Sequence, residues 1–411
     1  MSSPPFAARA AATAIALPLA LAAASLAARA DNDGVQIDPS AEVVVRYRHF
    51  EGHDFTDGGV TETVRQRARV GLSVSFLERV GAFVQVQDVR TWGEEGDTLG
   101  DYDADGLDMH QGYLDFAISE GMKLRVGRQE IAYLNQRLIG SVGFAEQARS
   151  FDAARWSLVG MGKDLAADLF YARTRDGAPD DFAGATDVLA GFLRYRVTPG
   201  FVPALIVVSD ISGPTDRVRV TGGLVVVGVF DFGLAYQVEG YFQGGSAAND
   251  VSYAAWFAAA RARYTLDFGV KPYLELFADV ASGDDDPADG DVHAFDTLFA
   301  TNHKFYGEMD FFTNLPVHTQ QRGLIDLGAA IGVSLGDELD LVATQHIFSV
   351  PEARGGSGSL GVETDIKGVW RLAPHLTWDL VYAVFVPGDG LTGGGPSDPE
   401  HFVYSTLAAV F

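Results

Sequence analysis

Residues 65–76 read Arg-Gln-Arg-Ala-Arg-Val-Gly-Leu-Ser-Val-Ser-Phe. Arg65, Arg67, Arg69, Gly71, Ser73 and Ser75 share one parity; Gln66, Ala68, Val70, Leu72, Val74 and Phe76 share the other. Successive side chains of a strand face opposite sides, so the stretch predicts a strand with one basic, small-residue face and one apolar face. The same period recurs where Glu363, Asp365 and Lys367 alternate with Val362, Thr364 and Ile366. It recurs again where Tyr273, Glu275 and Asp279 alternate with Leu274, Leu276 and Ala278. An amphipathic helix would need apolar residues at three- and four-residue spacing, and no long stretch has them.

Roughly eighteen such segments lie between Ala41 and Phe411 by the alternation rule. Tight connections at 77–80, 119–121, 160–163, 198–200, 230–232, 335–338 and 372–375 alternate with mostly long ones at 93–107, 130–150, 176–184, 281–321 and 387–399. This predicts an all-β fold: a transmembrane antiparallel up-and-down β-barrel of about 18 strands, with short periplasmic turns and long external loops. Closure removes the edges a flat sheet of that size would expose. A soluble sandwich, propeller or β-helix would share the apolar face but not a polar face so rich in arginine and acids. Phe402, Tyr404 and the terminal Phe411 give an aromatic-rich last strand.

Upstream, Arg9 precedes an apolar run over 10–28 that ends in Ala28-Arg29-Ala30, just before Asp31. This predicts a secretory signal peptide over 1–30, cleaved near Ala30, and a single barrel domain over 31–411. A membrane anchor helix is the competing reading; Pro18 and the small-residue end favour the signal. The chain has no cysteine, which excludes disulfides, thiolate metal sites and a cysteine nucleophile. Its 55 acidic against 30 basic residues, a net charge of −25, argue against a nucleic-acid partner. No H-E-x-x-H occurs and the histidines are scattered, so no enzyme is expected.

Arginines recur two apart: Arg46/Arg48, Arg65/Arg67/Arg69, Arg173/Arg175, Arg194/Arg196, Arg217/Arg219 and Arg261/Arg263. Two apart means the same strand face, and their neighbours, such as Tyr47, Leu193, Val218 and Ala262, are apolar. An arginine on the lipid side near the midplane costs about 2–4 kcal/mol, so these pairs are expected in the lumen. Guanidinium groups there favour anions and grip carboxylates through paired hydrogen bonds. Asp88, Asp115, Asp168, Glu239, Glu275, Glu363 and Asp365 are placed to neutralise some of them and leave others free. The acidic excess gathers in 94–108 and 284–291. Within the first, Asp101, Asp103, Asp105 and Gly106 form D-x-D-x-D-G, a partial calcium loop with Gly112 where an EF-hand places Glu. No cofactor is required by this reading; a structural Ca2+ on Asp101, Asp103 and Asp105 is the metal it admits.

Arg67-Ala68-Arg69-Val70-Gly71-Leu72, Val86-Gln87-Asp88-Val89-Arg90-Thr91-Trp92-Gly93, Arg125-Val126-Gly127-Arg128-Gln129-Glu130, Arg137-Leu138-Ile139-Gly140 and Arg149-Ser150-Phe151-Asp152-Ala153-Ala154-Arg155 follow one another in order. So do Gly283-Asp284-Asp285-Asp286-Pro287, Asn302-His303-Lys304-Phe305-Tyr306-Gly307 and Phe385-Val386-Pro387-Gly388. This ordered set resembles the alginate export family of outer-membrane barrels. The resemblance implies a monomeric channel of the Gram-negative outer membrane for passive export of an anionic polysaccharide such as alginate. It implies lipid, lipopolysaccharide and periplasmic secretion proteins as neighbours. It points to Arg67, Arg69, Arg90, Arg125, Arg128, Arg137, Arg149 and Arg155 as lumenal substrate contacts, to which the pair pattern adds Arg194 and Arg196. It also marks the loops 130–150 and 281–321 as plug or gate. The alternative is a general or anion-preferring porin for small solutes.

Overall fold

The computed structural model describes residues 34–51, 59–76, 79–94, 107–159, 164–175, 185–395 and 397–411. The signal-peptide segment 1–30, the turns at 77–78 and 160–163, the loop 176–184 and the D-x-D-x-D-G residues Asp101, Asp103 and Asp105 lie outside these. In chain order the strands are β1 (Val35–Glu51), β2 (Val60–Phe76), β3 (Val80–Thr91), β4 (Leu107–Ser119), β5 (Met122–Gln129), β6 (Phe151–Val159), β7 (Leu165–Arg175), β8 (Thr186–Tyr195), β9 (Val202–Ser212) and β10 (Arg217–Val229). There follow β11 (Leu234–Ala247), β12 (Val251–Thr265), β13 (Tyr273–Ala281), β14 (Asp291–Val292), β15 (Leu324–Leu335), β16 (Leu339–Ser349), β17 (Ser359–Ala373), β18 (Leu376–Pro387) and β19 (Glu400–Val410).

Each stave pairs antiparallel with the next, β13 passes directly to β15, and β1 closes the ring against β19 through the register Glu42↔Val410 to Glu51↔His401. β14 is a two-residue parallel addition to β12. The result is a closed antiparallel barrel of 18 strands, as the alternation predicts. Parity holds along the staves. In β2, Arg67 and Arg69 are buried inward while Val70 and Leu72 are each 42% exposed on the outer face. Trp370 and Trp378 stack with ring centroids 5.8 Å apart on that face, which suits the aromatic girdle of a membrane barrel.

β1 begins and β19 ends at the short-turn end, where the Ala41 and Phe411 backbones bond reciprocally. The opposite end is less uniform than expected. It carries the long loops, but the β9–β10 connection is one 3-10 turn, Gly213–Thr215, and β11 reaches β12 through residues 248–250. At the short-turn end, β12 and β13 are joined through 266–272, a turn the alternation did not resolve.

Candidate functional site

The two long segments enter the barrel rather than leaving it. Ile131, Leu138 and Ile139 of the segment 130–150, and Phe295, Tyr306, Phe312 and Leu315 of the segment 282–323, are at most 1% exposed. They pack with the inward Phe170, Val188, Phe257, Phe385 and Tyr404 of the wall in one apolar cluster. The segments meet through a parallel bridge, Ile139↔Phe299. Burying a Leu, Ile or Phe side chain contributes about 1.5–3 kcal/mol, so the plug carries a core of its own. In the segment 282–323, Phe295, Phe299, Phe305, Tyr306, Phe311 and Phe312 were a signal in the sequence for its infolding.

The lumenal arginines of β1 and β2 hold this plug. Glu146 receives Arg46 at 2.9 Å, Arg48 at 3.4 Å and Arg65 at 3.4 Å. Arg67 bonds Glu42 at 2.7 Å and donates to the carbonyls of Gly143, Ala145 and Glu146. Arg69 donates to Gln87 at 3.1 Å and reaches Glu130 at 3.5 Å. Burial alone would raise the Glu146 carboxyl, but the guanidinium groups of Arg48 and Arg46 outweigh it and hold the group below its ordinary value.

Arg137 crosses to the far wall. It is 2% exposed, sits 3.1 Å from Glu239 of β11 and 2.8 Å from Asp279 of β13, and lies 3.4 Å over the Phe305 ring. Arg149 ties the two segments together by donating to the carbonyls of Phe299 and Ala300. Glu308 anchors the second segment, accepting from Lys367 of β17 at 2.8 Å and from the Tyr404 hydroxyl of β19 at 2.6 Å. Met309 N–H donates to Glu363 at 2.9 Å. Gly307 has φ +85°, and a Cβ there would strike the Glu363 carboxylate, so the chain can turn past that wall only with glycine. Glu130, Glu146 and Glu308 were not singled out from the sequence, because loop acids show no face until the loop has a place; Glu42 lies within β1, on the inward parity of Arg46.

The half of the lumen near the short turns differs. Asp115 is shared by Lys123 at 3.3 Å and Arg125 at 2.8 Å; Arg155 meets Asp168 at 2.6 Å. Arg125 and Arg155 are register partners across β5 and β6, so two guanidinium groups stand side by side. Glu275 is shared by Arg261 at 2.8 Å and Arg263 at 2.6 Å. Arg194 keeps the inward parity of Val188 and Ala190 and is exposed at this mouth. In these clusters five cations share three carboxylates, and Asp340 holds Arg371 at 2.6 Å farther round the wall.

Two arginines expected in the lumen are outside it. Arg90 has the parity of Asp88, opposite Ala68 on the outer face of β2, and is bound to Asp88. Arg173 shares the face of the exposed Tyr171 and bonds Asp187 at 3.0 Å. Both stand within three residues of a strand's loop end, where a lipid-side arginine costs only about 0–1 kcal/mol. Arg128, at the loop end of β5, lines a cavity with Gln87, His110 and the plug residues Gln147, Ala148 and Ser150. Arg196 lies beyond β8 in the short turn, where its N–H bonds the Asp164 carbonyl.

Comparison with known proteins follows this geometry. The chain matches the family described as "Alginate export" over residues 37–188 and 208–405. No curated protein matches it. Among solved structures it is similar to Acinetobacter baumannii OccAB1, with TM-score 0.62 and 13% identity over 91% of this chain and 97% of that one. It is also similar to Pseudomonas aeruginosa OpdO, at 0.60 and 16% over 91% and 97%. Pseudomonas aeruginosa OccK11 (OpdR) gives 0.59 and 13% over 92% and 96%. At these identities the structural likeness speaks for the barrel fold.

Proposed function

The chain belongs to the alginate export family, and from that premise we propose that this outer-membrane barrel exports an anionic polysaccharide, entering from the short-turn mouth. The observation that carries the reading is the row of half-exposed cations there: Lys123 and Arg125 on Asp115, Arg155 on Asp168, and Arg261 and Arg263 on Glu275. A carboxylate on each sugar would find a series of half-engaged guanidinium groups. Each binds weakly because a resident acid competes, and conduction needs binding weak enough to release. The plug then has to yield, since its apolar core occupies the path of a polymer chain.

That same core favours a second reading, an anion-preferring porin for small solutes, in which small anions pass beside a plug that stays in place. Planar-bilayer recording separates the two. Under the export reading, polyuronate added on the short-turn side blocks the current in a voltage-dependent way, and more strongly than monomeric uronate at equal carboxylate concentration. Equal effects of polymer and monomer would reject export and leave the porin reading.

A further inference from the structure

At the foot of the inward segment 282–323, Asp284 is 1% exposed. Its Oδ1 accepts the Asp286 N–H at 3.2 Å, while its Oδ2 is buried without any hydrogen-bond partner. A buried carboxylate oxygen left unsatisfied is destabilising. The nearby Arg354 does not satisfy it, because Nε and Nη2 both donate to the Asp284 carbonyl, at 2.9 and 2.7 Å. Two further ligand-type side chains converge on the same place. Asp285 Oδ1 is 3.8 Å from His293 Nδ1. One ligand atom each from Asp284, Asp285 and His293 lies within 4.8 Å of the others.

We propose that Asp284, Asp285 and His293 form a divalent-cation site of the zinc type. Two carboxylates and one imidazole nitrogen around a point are a donor set for Zn2+, whose ligands stand at about 2.0–2.2 Å and which tolerates a water in the remaining position. Ca2+ takes six to eight oxygens, and the imidazole nitrogen argues against it. The ion satisfies the orphaned Asp284 oxygen and adds a cross-link at a structural junction. Asp284 N–H bonds the Gln321 carbonyl at 2.8 Å, and so joins the entry of the inward segment to its exit. Arg354 joins the same residue to the loop between β16 and β17. The site stands on these residues alone and does not depend on the transport reading.

The test uses the purified full-length barrel in detergent, stripped with chelator and titrated calorimetrically with ZnCl2, with CaCl2 as a parallel arm. One equivalent of Zn2+ is expected to bind saturably and more tightly than Ca2+. His293→Ala, a partly exposed position, is expected to weaken that equivalent at least tenfold, and Asp284→Asn to do the same. Heat-modifiable gel mobility reports that each variant remains a folded barrel; should Asp284→Asn fail it, His293→Ala alone decides. Absence of a saturable zinc equivalent, preference for Ca2+, or unchanged affinity in His293→Ala would overturn the proposal.

Discussion

The lumen contains two sets of arginines in different surroundings. On the loop side, Arg46, Arg67 and Arg69 have side chains 8–9% exposed and Arg137 only 2%, and their partners include plug residues or wall acids buried behind the plug. On the short-turn side, Arg125, Arg155, Arg261 and Arg263 are 23–45% exposed, and their partners are carboxylates on their own or the adjacent strand. Arg137 aside, which belongs to the plug, the residue type and the strand face are the same in both. Whether a folded loop covers the guanidinium decides whether it serves as a structural pin or as a contact for solute. A buried pair broken on one side leaves an uncompensated charge and costs several kcal/mol, whereas a solvated pair contributes little to stability and much to the local potential.

The comparison can be broken most sharply at Arg137. Arg137→Met leaves Glu239 and Asp279 buried without their cation, a loss of about 3–5 kcal/mol. The expected outcome is release of the segment 130–150, seen as raised hydrogen exchange there and larger single-channel conductance, with the wall strands still protected. Unchanged exchange would mean that the plug does not depend on this latch.

A smaller effect is expected from acid. Glu146 has its folded-state carboxyl held below the unfolded value near about 4.3. Its contribution is therefore fully present above that value and is lost as pH falls through the depressed folded value. The Glu308 carboxyl follows the same sign: burial raises it, but Lys367 and His303 outweigh that and lower it. As pH falls through these depressed values, below about 4, the plug should loosen. Glu146→Gln should remove that part of the pH response. A conductance that rises on alkalinisation instead would contradict the assignment.

The smallest effect concerns the outer face. Arg173→Gln should leave the reversal potential where it is in the parent, because the side chain shares the face of the exposed Tyr171 and bonds Asp187 there. A shift comparable to that of Arg125→Gln would place Arg173 in the lumen after all.

Much of this was legible in the sequence, and for physical reasons. Parity is invariant along a strand, so the burial of Arg67 and Arg69 against the exposure of Val70 and Leu72 follows from residues 65–76 alone. The acids that pair across neighbouring strands, Asp115, Asp168 and Glu275, were visible for the same reason. Parity loses its meaning at the rim, where both faces are polar: Asp88 and Arg90, or Tyr171 and Arg173, carry no apolar partner to say which side is lipid. The infolding of 130–150 and 282–323 depends on contacts between segments about 150 residues apart, such as Arg149 with Phe299, and no local period encodes those.

The division of the lumen is tested most directly by reversal potentials and conductance in a low-salt KCl gradient, comparing Lys123→Gln/Arg125→Gln/Arg155→Gln with Arg46→Gln/Arg48→Gln/Arg65→Gln. Low salt matters because screening shortens to about 3 Å at 1 M. The short-turn triple should lose anion preference at nearly unchanged conductance. The β1–β2 triple should gain conductance as the plug loosens, while keeping most of its anion preference. The reverse pattern, selectivity lost in the β1–β2 triple and conductance raised in the short-turn triple, would contradict the account.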